Sequence, residues 1–244
     1  MCVVMIIPKD VRPSLETLRL CERANPHGGG IAWRTAGSVE WLKTNDVAEI
    51  DKLALKMKGE LVIHFRIASI GAVCNELRHP FPISKKSKLD ERGRTGSVLF
   101  QNGTWSGYAE ALKFAEGEGH KVPEGEMSDS RAAAFLVSIY GHEFLKKCGY
   151  SRWVVMSGTE TTRYGDWYKR DGIYFSNLHW LPSAPPKCQE TKARAFPAVE
   201  QTEIPDLDDL GDAETTRELY DLSLVSDYWA KVKGSKQGQK IGKI

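Results

Sequence analysis

No apolar run in the 244 residues approaches the roughly 18–20 that a membrane helix requires, so a membrane-spanning helix is not expected. The opening MCVVMII, stopped by Pro8, has no basic flank and is too short for a secretory leader. Charge of one sign is also missing. The 34 basic and 32 acidic residues leave a formal +2, which gives no argument for a nucleic-acid partner. Five cysteines, at 2, 21, 74, 148 and 188, form no CxxC pair and are odd in number, which excludes a disulfide framework and a zinc finger. A reduced, cytoplasmic setting is the default for such a pattern. His120, His142 and His179 have no ligand spacing with those cysteines, so neither a metal nor another cofactor is expected. There is no phosphate-binding loop and no useful internal repeat. What is present is ordinary for a folded core: 41% hydrophobic and 27% charged residues.

The hydrophobic pattern divides the chain in two. Val3 to Ile7 reads as a buried strand at the very start. Ser14 caps a helix through Leu15, Leu18 and Cys21 that stops at Asn25-Pro26. Gly28-Gly29-Gly30 feeds a strand at Ile31-Ala32-Trp33, and Asp46 to Met57 has helical spacing. Strands are expected at Leu61–Ile67 and Ser97–Gln101, then a helix from Ser106 to about Ala115. A long helix follows, Arg131 to Lys147, closed by Gly149. Trp153–Met156, Arg163–Tyr168 and Ile173–Phe175 complete the strands, with Asp171-Gly172 as a hairpin turn. From Leu181 the texture becomes Pro-rich and then acidic. Residues 2–180 therefore read as one mixed α and β domain, and 181–244 as a partly ordered tail with a weak helix over 213–233.

Cys2 is the residue with the most chemistry. A small second residue permits removal of the initiator methionine, which would put the thiol and a free α-amine in one residue. That amine titrates near pH 7.7–8.0 in the usual case, so it suits a general base and can activate the thiol without a histidine. On its own the position also fits a small buried residue opening a strand. A thiol attacking an amide needs an oxyanion hole, and Asn102-Gly103 after a strand offers a side-chain amide and an unhindered backbone N–H, though it is also a common turn. Arg66 at a strand end suits a carboxylate or a surface ion pair. Asp129 sits at a helix start between the rival caps Ser128 and Ser130, free to hold an ammonium group.

These pieces occur in one order. Cys2, NPHGGGIAW (25–33), HFRIASIG (64–71), HPFPI (79–83), LFQNGTW (99–105), SDS (128–130) and, later, SGTETTRYGDW and DGIYFSN (171–177) resemble the class II glutamine amidotransferases. That family consists of N-terminal-nucleophile (Ntn) hydrolases, so the resemblance implies an α+β, four-layer αββα sandwich over about 2–180. It implies Cys2 as nucleophile, Asn102 and Gly103 as oxyanion hole, Arg66 for the glutamine α-carboxylate and Asp129 for its α-ammonium. Ser69 stands where the family has a substrate-contacting threonine. His27 stands where many relatives have aspartate, and Gln101 replaces the histidine usual before Asn-Gly.

On this resemblance the chain is expected to hydrolyse the side-chain amide of glutamine through a γ-glutamyl thioester. It would pass ammonia to a separately encoded synthetase or ligase. Two alternatives stay open: an Ntn hydrolase cutting another γ-glutamyl amide, and a non-catalytic binding subunit of the same fold.

Overall fold

The computed structural model describes residues 2–182. The tail and its expected helix at 213–233 lie outside them. In chain order the first half contains β1 (Val3–Ile7), α1 (Leu15–Ala24), β2 (Gly29–Thr35), β3 (Ser38–Thr44), α2 (Val47–Lys56) and β4 (Leu61–Phe65). A stretch without long elements carries β5 (Phe81–Pro82), β6 (Arg92–Thr95) and β7 (Ser97–Asn102). Then come α3 (Tyr108–Gly117), α4 (Asp129–Tyr140), β8 (Arg152–Ser157), β9 (Thr161–Tyr164), β10 (Tyr168–Arg170) and β11 (Ile173–Phe175).

Two antiparallel sheets result. One has seven strands in the order β10-β11-β1-β4-β2-β3-β6, the other four in the order β5-β7-β8-β9. Strand alternation sorts the core. Val3, Met5, Ile7, Ile31, Ile63 and Phe65 pack with Leu18 and Cys21 of α1 and Ile50 and Ala54 of α2. The alternate residues, Val4, Ile6, Ala32 and Val62, pack with Val98, Phe100, Val154 and Met156 of the second sheet. Each strand of the larger sheet is thus apolar on both faces, which is why its centre reads as continuous hydrophobic runs rather than as alternation.

Local signals account for most element ends. Ser14 accepts the Thr17 N–H and Asp46 the Ala48 N–H, and these caps start α1 and α2 where expected. Three expectations need correction. Ser106 caps nothing: α3 begins after Gly107 without a side-chain cap. The long helix ends at Tyr140, because Gly141 takes a left-handed φ of 83°, and a 3-10 segment, His142–Lys147, follows. The strand expected at Arg163–Tyr168 is two strands in different sheets, parted at Gly165 (φ 83°). The Asp171-Gly172 turn is present, with both residues at positive φ, as a two-residue hairpin of the primed type requires.

Between the sheets lie two buried imidazoles, His64 and His79, with ring centroids 4.1 Å apart. None of their ring nitrogens has a hydrogen-bond partner among the described residues. Burial drives the His64 pKa down to about 3 and that of His79 well below its ordinary value, so both rings are neutral. The consequence has a definite sign. In the window between the folded value of about 3 and the ordinary 6.5, the unfolded chain binds protons that the folded chain refuses. Stability is therefore complete above pH 6.5 and is lost as pH falls toward 3. Urea unfolding at stepped pH should show that decline, and His64→Leu should flatten it; an unchanged slope would remove His64 as its source.

Candidate active site

The alternation that builds the core also aims the head of β1. Cys2 is in phase with Val4 and Ile6, on the side that faces the second sheet. Its thiol donates to the Ile67 carbonyl at 3.3 Å, and the Ile67 N–H lies 3.4 Å from the sulfur. The Asn177 side-chain amide donates to the Cys2 carbonyl at 2.6 Å. Burial pushes the thiol pKa up; the Ile67 N–H and then the charge of Arg66 pull it down without prevailing. The resting nucleophile is accordingly a thiol, and it needs a base to react.

Cys2 shares a small cleft of about 20 Å³ with Arg66, Ser69, Gln101, His79, Gly103 and Asp129, room for about one water. Arg66 follows β4 and is buried, with its guanidinium donating to the carbonyls of Ala72 (2.8 Å) and Ile70 (3.2 Å). Two of its N–H groups are so occupied, and the rest of the fork stays available. Ser69 is hydroxyl-bonded to Thr104 at 3.0 Å. His27, at the departure from the family loop, accepts the Ala68 N–H through Nδ1 at 2.9 Å and so fixes the chain beside Ser69.

Asp129 is the first residue of α4, while Ser128 is the cap and accepts the Arg131 N–H. That division leaves the Asp129 carboxylate pointing into the cleft. Its Oδ2 accepts the Trp105 N–H (2.9 Å) and a Gln101 amide hydrogen (3.0 Å). Burial raises its pKa, and these two donors oppose the rise. Gln101 is itself fully engaged: its amide also donates to Ser151 at 3.1 Å, and its oxygen accepts the Ser130 hydroxyl at 2.5 Å. The residue that replaces the family histidine thus holds the carboxylate in place.

Gly103 lines the cleft at φ 137°, and a Cβ there would stand 2.5 Å from Ser151 Oγ. Asn102 is buried beside the cleft rather than in its lining. Its Nδ2 donates to the Ser176 hydroxyl at 2.8 Å, and that hydroxyl also accepts the Val4 N–H at 2.8 Å. Sequence reasoning therefore brought together Cys2, Arg66, Ser69, Gly103 and Asp129, with Asn102 adjoining. It missed Ser176 and Asn177, which lie in the DGIYFSN segment but act on residues 74 or more positions away.

A larger cavity, about 800 Å³, lies between residues 85–90, 119–124 and the side of α4. Size does not make it the reactive site. Its lysines are exposed, and Arg131 donates to the carbonyls of Ser87, Glu124 and Glu126. No nucleophile lines it. No helix among the described residues is long and apolar enough to cross a membrane.

Gly103→Ala should lower the melting temperature, since it combines the Ser151 clash with a backbone conformation costing on the order of 1–3 kcal/mol for a non-glycine residue. A second change, Ser151→Gly, should recover only part of the loss, by removing the clash and leaving the strain. A variant melting with the wild type would refute this account of the loop.

No family model and no curated protein matches the sequence. Solved structures do match. One is the allosteric regulatory enzyme of purine biosynthesis, at 19% identity and a TM-score of 0.50. Another is the glutamine phosphoribosylpyrophosphate amidotransferase from B. subtilis complexed with ADP and GMP, at 16% identity and a TM-score of 0.49. Each match covers 72% of this chain and 41% of the other, so the chain spans about two fifths of their length. What is shared at this identity is the fold: an α+β arrangement of two antiparallel sheets with helices, similar to an Ntn amidotransferase domain.

Proposed function

We propose that this chain is a class II glutamine amidotransferase or glutaminase domain with the four-layer αββα sandwich of the Ntn hydrolases. The observation that carries the proposal is the single cleft holding Cys2, Arg66, Ser69, Gly103 and Asp129. A thiol, a cation and a carboxylate converge there, which is what a free α-amino acid with a side-chain amide requires.

In this reading Met1 is removed. With Met1 in place the Cys2 nitrogen is a peptide amide and cannot accept a proton. Once free, the α-amine takes the thiol proton as sulfur attacks the glutamine side-chain carbonyl. Asn102 and Gly103 hold the oxyanion. The amine returns its proton to the leaving nitrogen, ammonia departs, and a γ-glutamyl thioester remains on Cys2. Water then attacks the thioester, releasing glutamate and restoring the thiol. Arg66 takes the α-carboxylate and Asp129 the α-ammonium, with Ser69 beside them. Glutamine needs more than the resting 20 Å³. Binding therefore moves the segment 67–77, which has neither helix nor strand. The same movement detaches Arg66 from the Ile70 and Ala72 carbonyls. Ammonia passes to a separate acceptor synthetase or ligase, the partner of this domain; no cofactor is needed for the hydrolysis.

The test is intact mass spectrometry before and after a glutamine-mimicking diazoketone, with glutamate release measured alongside. Loss of Met1, one adduct on Cys2 and a glutaminase rate are expected, and retention of Met1 would refute the catalytic reading. Cys2→Ala should abolish the adduct and the rate, and Asn102→Ala should lower kcat by roughly 10²–10³. Arg66→Lys should chiefly raise KM, because the paired guanidinium contact is lost; an unchanged KM would take Arg66 out of the substrate site.

A further inference from the structure

Two complementary faults sit next to each other at the head of β1. Asn102 Oδ1 is buried and has no donor among the described residues. The Ser176 hydroxyl accepts from the Val4 N–H and from Asn102 Nδ2, and its own hydrogen has no acceptor there. A buried carbonyl oxygen without a donor, beside a hydroxyl without an acceptor, leaves two hydrogen-bonding groups unused in the same contact. A half-turn of the Asn102 amide about its last side-chain bond corrects both. Ser176 then donates to Oδ1 while still accepting from Val4, and the amide NH₂ occupies the position that had no partner. The outline of the side chain is unchanged, since the two amide atoms are nearly equal in size.

We infer that Ser176 is a positioning residue: it fixes the Asn102 amide so that its NH₂ group, with no protein acceptor, is presented to the oxyanion formed at Cys2. This rests on the proposed reaction and adds the device that orients its donor. Strand phase agrees. Tyr174 packs with the residues between the sheets, as do Val98 and Phe100, and two residues on in each strand stand Ser176 and Asn102. Cys2 has the same phase in β1. The Ser176 backbone N–H also donates to the Val4 carbonyl at 2.9 Å, so the side chain is held to β1 at two points. A group clamped at both its backbone and its hydroxyl can hold an amide in one orientation. An unused NH₂ buried there lacks only a negatively charged acceptor, which the resting protein does not contain and the tetrahedral intermediate supplies.

The test compares Ser176→Ala and Ser176→Cys with the wild type in the full-length chain. With glutamine, kcat should fall roughly tenfold to a hundredfold in both, short of the roughly 10²–10³ lost on deleting an oxyanion donor, while KM stays within about threefold. Alkylation of Cys2 by iodoacetamide builds no oxyanion, so its rate, read by peptide mass, should be unchanged and serves as the check on folding. In an Asn102→Ala background, Ser176→Ala should add almost nothing, because both act through one donor. A full additional loss there, a raised KM at unchanged kcat, or wild-type kcat in Ser176→Cys would overturn the inference. Should Ser176→Ala fail to fold, the Cys variant, closest in shape and a weak donor, decides it. A wild type silent toward glutamine counts against the proposed reaction instead. Acylation by p-nitrophenyl acetate, which also forms an oxyanion at Cys2, then gives the same comparison of variants.

Discussion

The site depends on one constraint, the immobility of β1 at its N-terminal end. First residues ordinarily fray, because nothing pairs with them. Here β1 is bonded along one edge to β4 and along the other to β11, and its side chains are buried on both faces. Asn177 then holds the Cys2 carbonyl and Ile67 brackets its sulfur. The same enclosure has a chemical cost: desolvation keeps the sulfur protonated. A nucleophile held this tightly is well placed and poorly ionised, and a base within its own residue answers that conflict without taking further space in the cleft.

Charge is handled by a related compromise. Asp129 is buried enough that its ionised form is disfavoured, yet it accepts hydrogen bonds from Trp105 and Gln101 that restore part of the lost hydration. Arg66 likewise keeps backbone carbonyls as partners in the empty cleft. Both side chains are satisfied without pairing to each other, so neither is neutralised before a zwitterion arrives. Gln101 suits this role better than a second ionisable ring would, because its amide donates to the carboxylate and to Ser151 while accepting from Ser130.

Much of this was legible in the residues. Caps at Ser14 and Asp46, the apolar runs at 3–7 and 61–65, and the order of short motifs placed the strands, two helices and most of the cleft. The failures have local causes. Strand β3 escaped notice because Lys43 interrupts its apolar pattern; in the structure that lysine is buried, donates to the Glu76 carbonyl, and has its pKa lowered to about 7 by desolvation. Gly141 and Gly165 looked like tolerable interruptions, and their positive φ values ended a helix and moved the chain between sheets. Ser176 was invisible for a different reason. Its partners, Val4 and Asn102, are 172 and 74 residues away, and a serine after a strand carries no local sign of such contacts.

The clasp on the first strand comes from nearly the last described one. Ribosomes release a chain from its amino end, so Cys2 leaves the exit tunnel long before β11, Ser176 and Asn177 exist to hold it. Through most of translation the cysteine has an unclamped carbonyl and a mobile side chain. That interval is when a processing peptidase has free access to Met1, and it closes once residue 177 pairs with residue 2. The order of synthesis thereby separates maturation of the amino terminus from its confinement, with trimming first and clamping second.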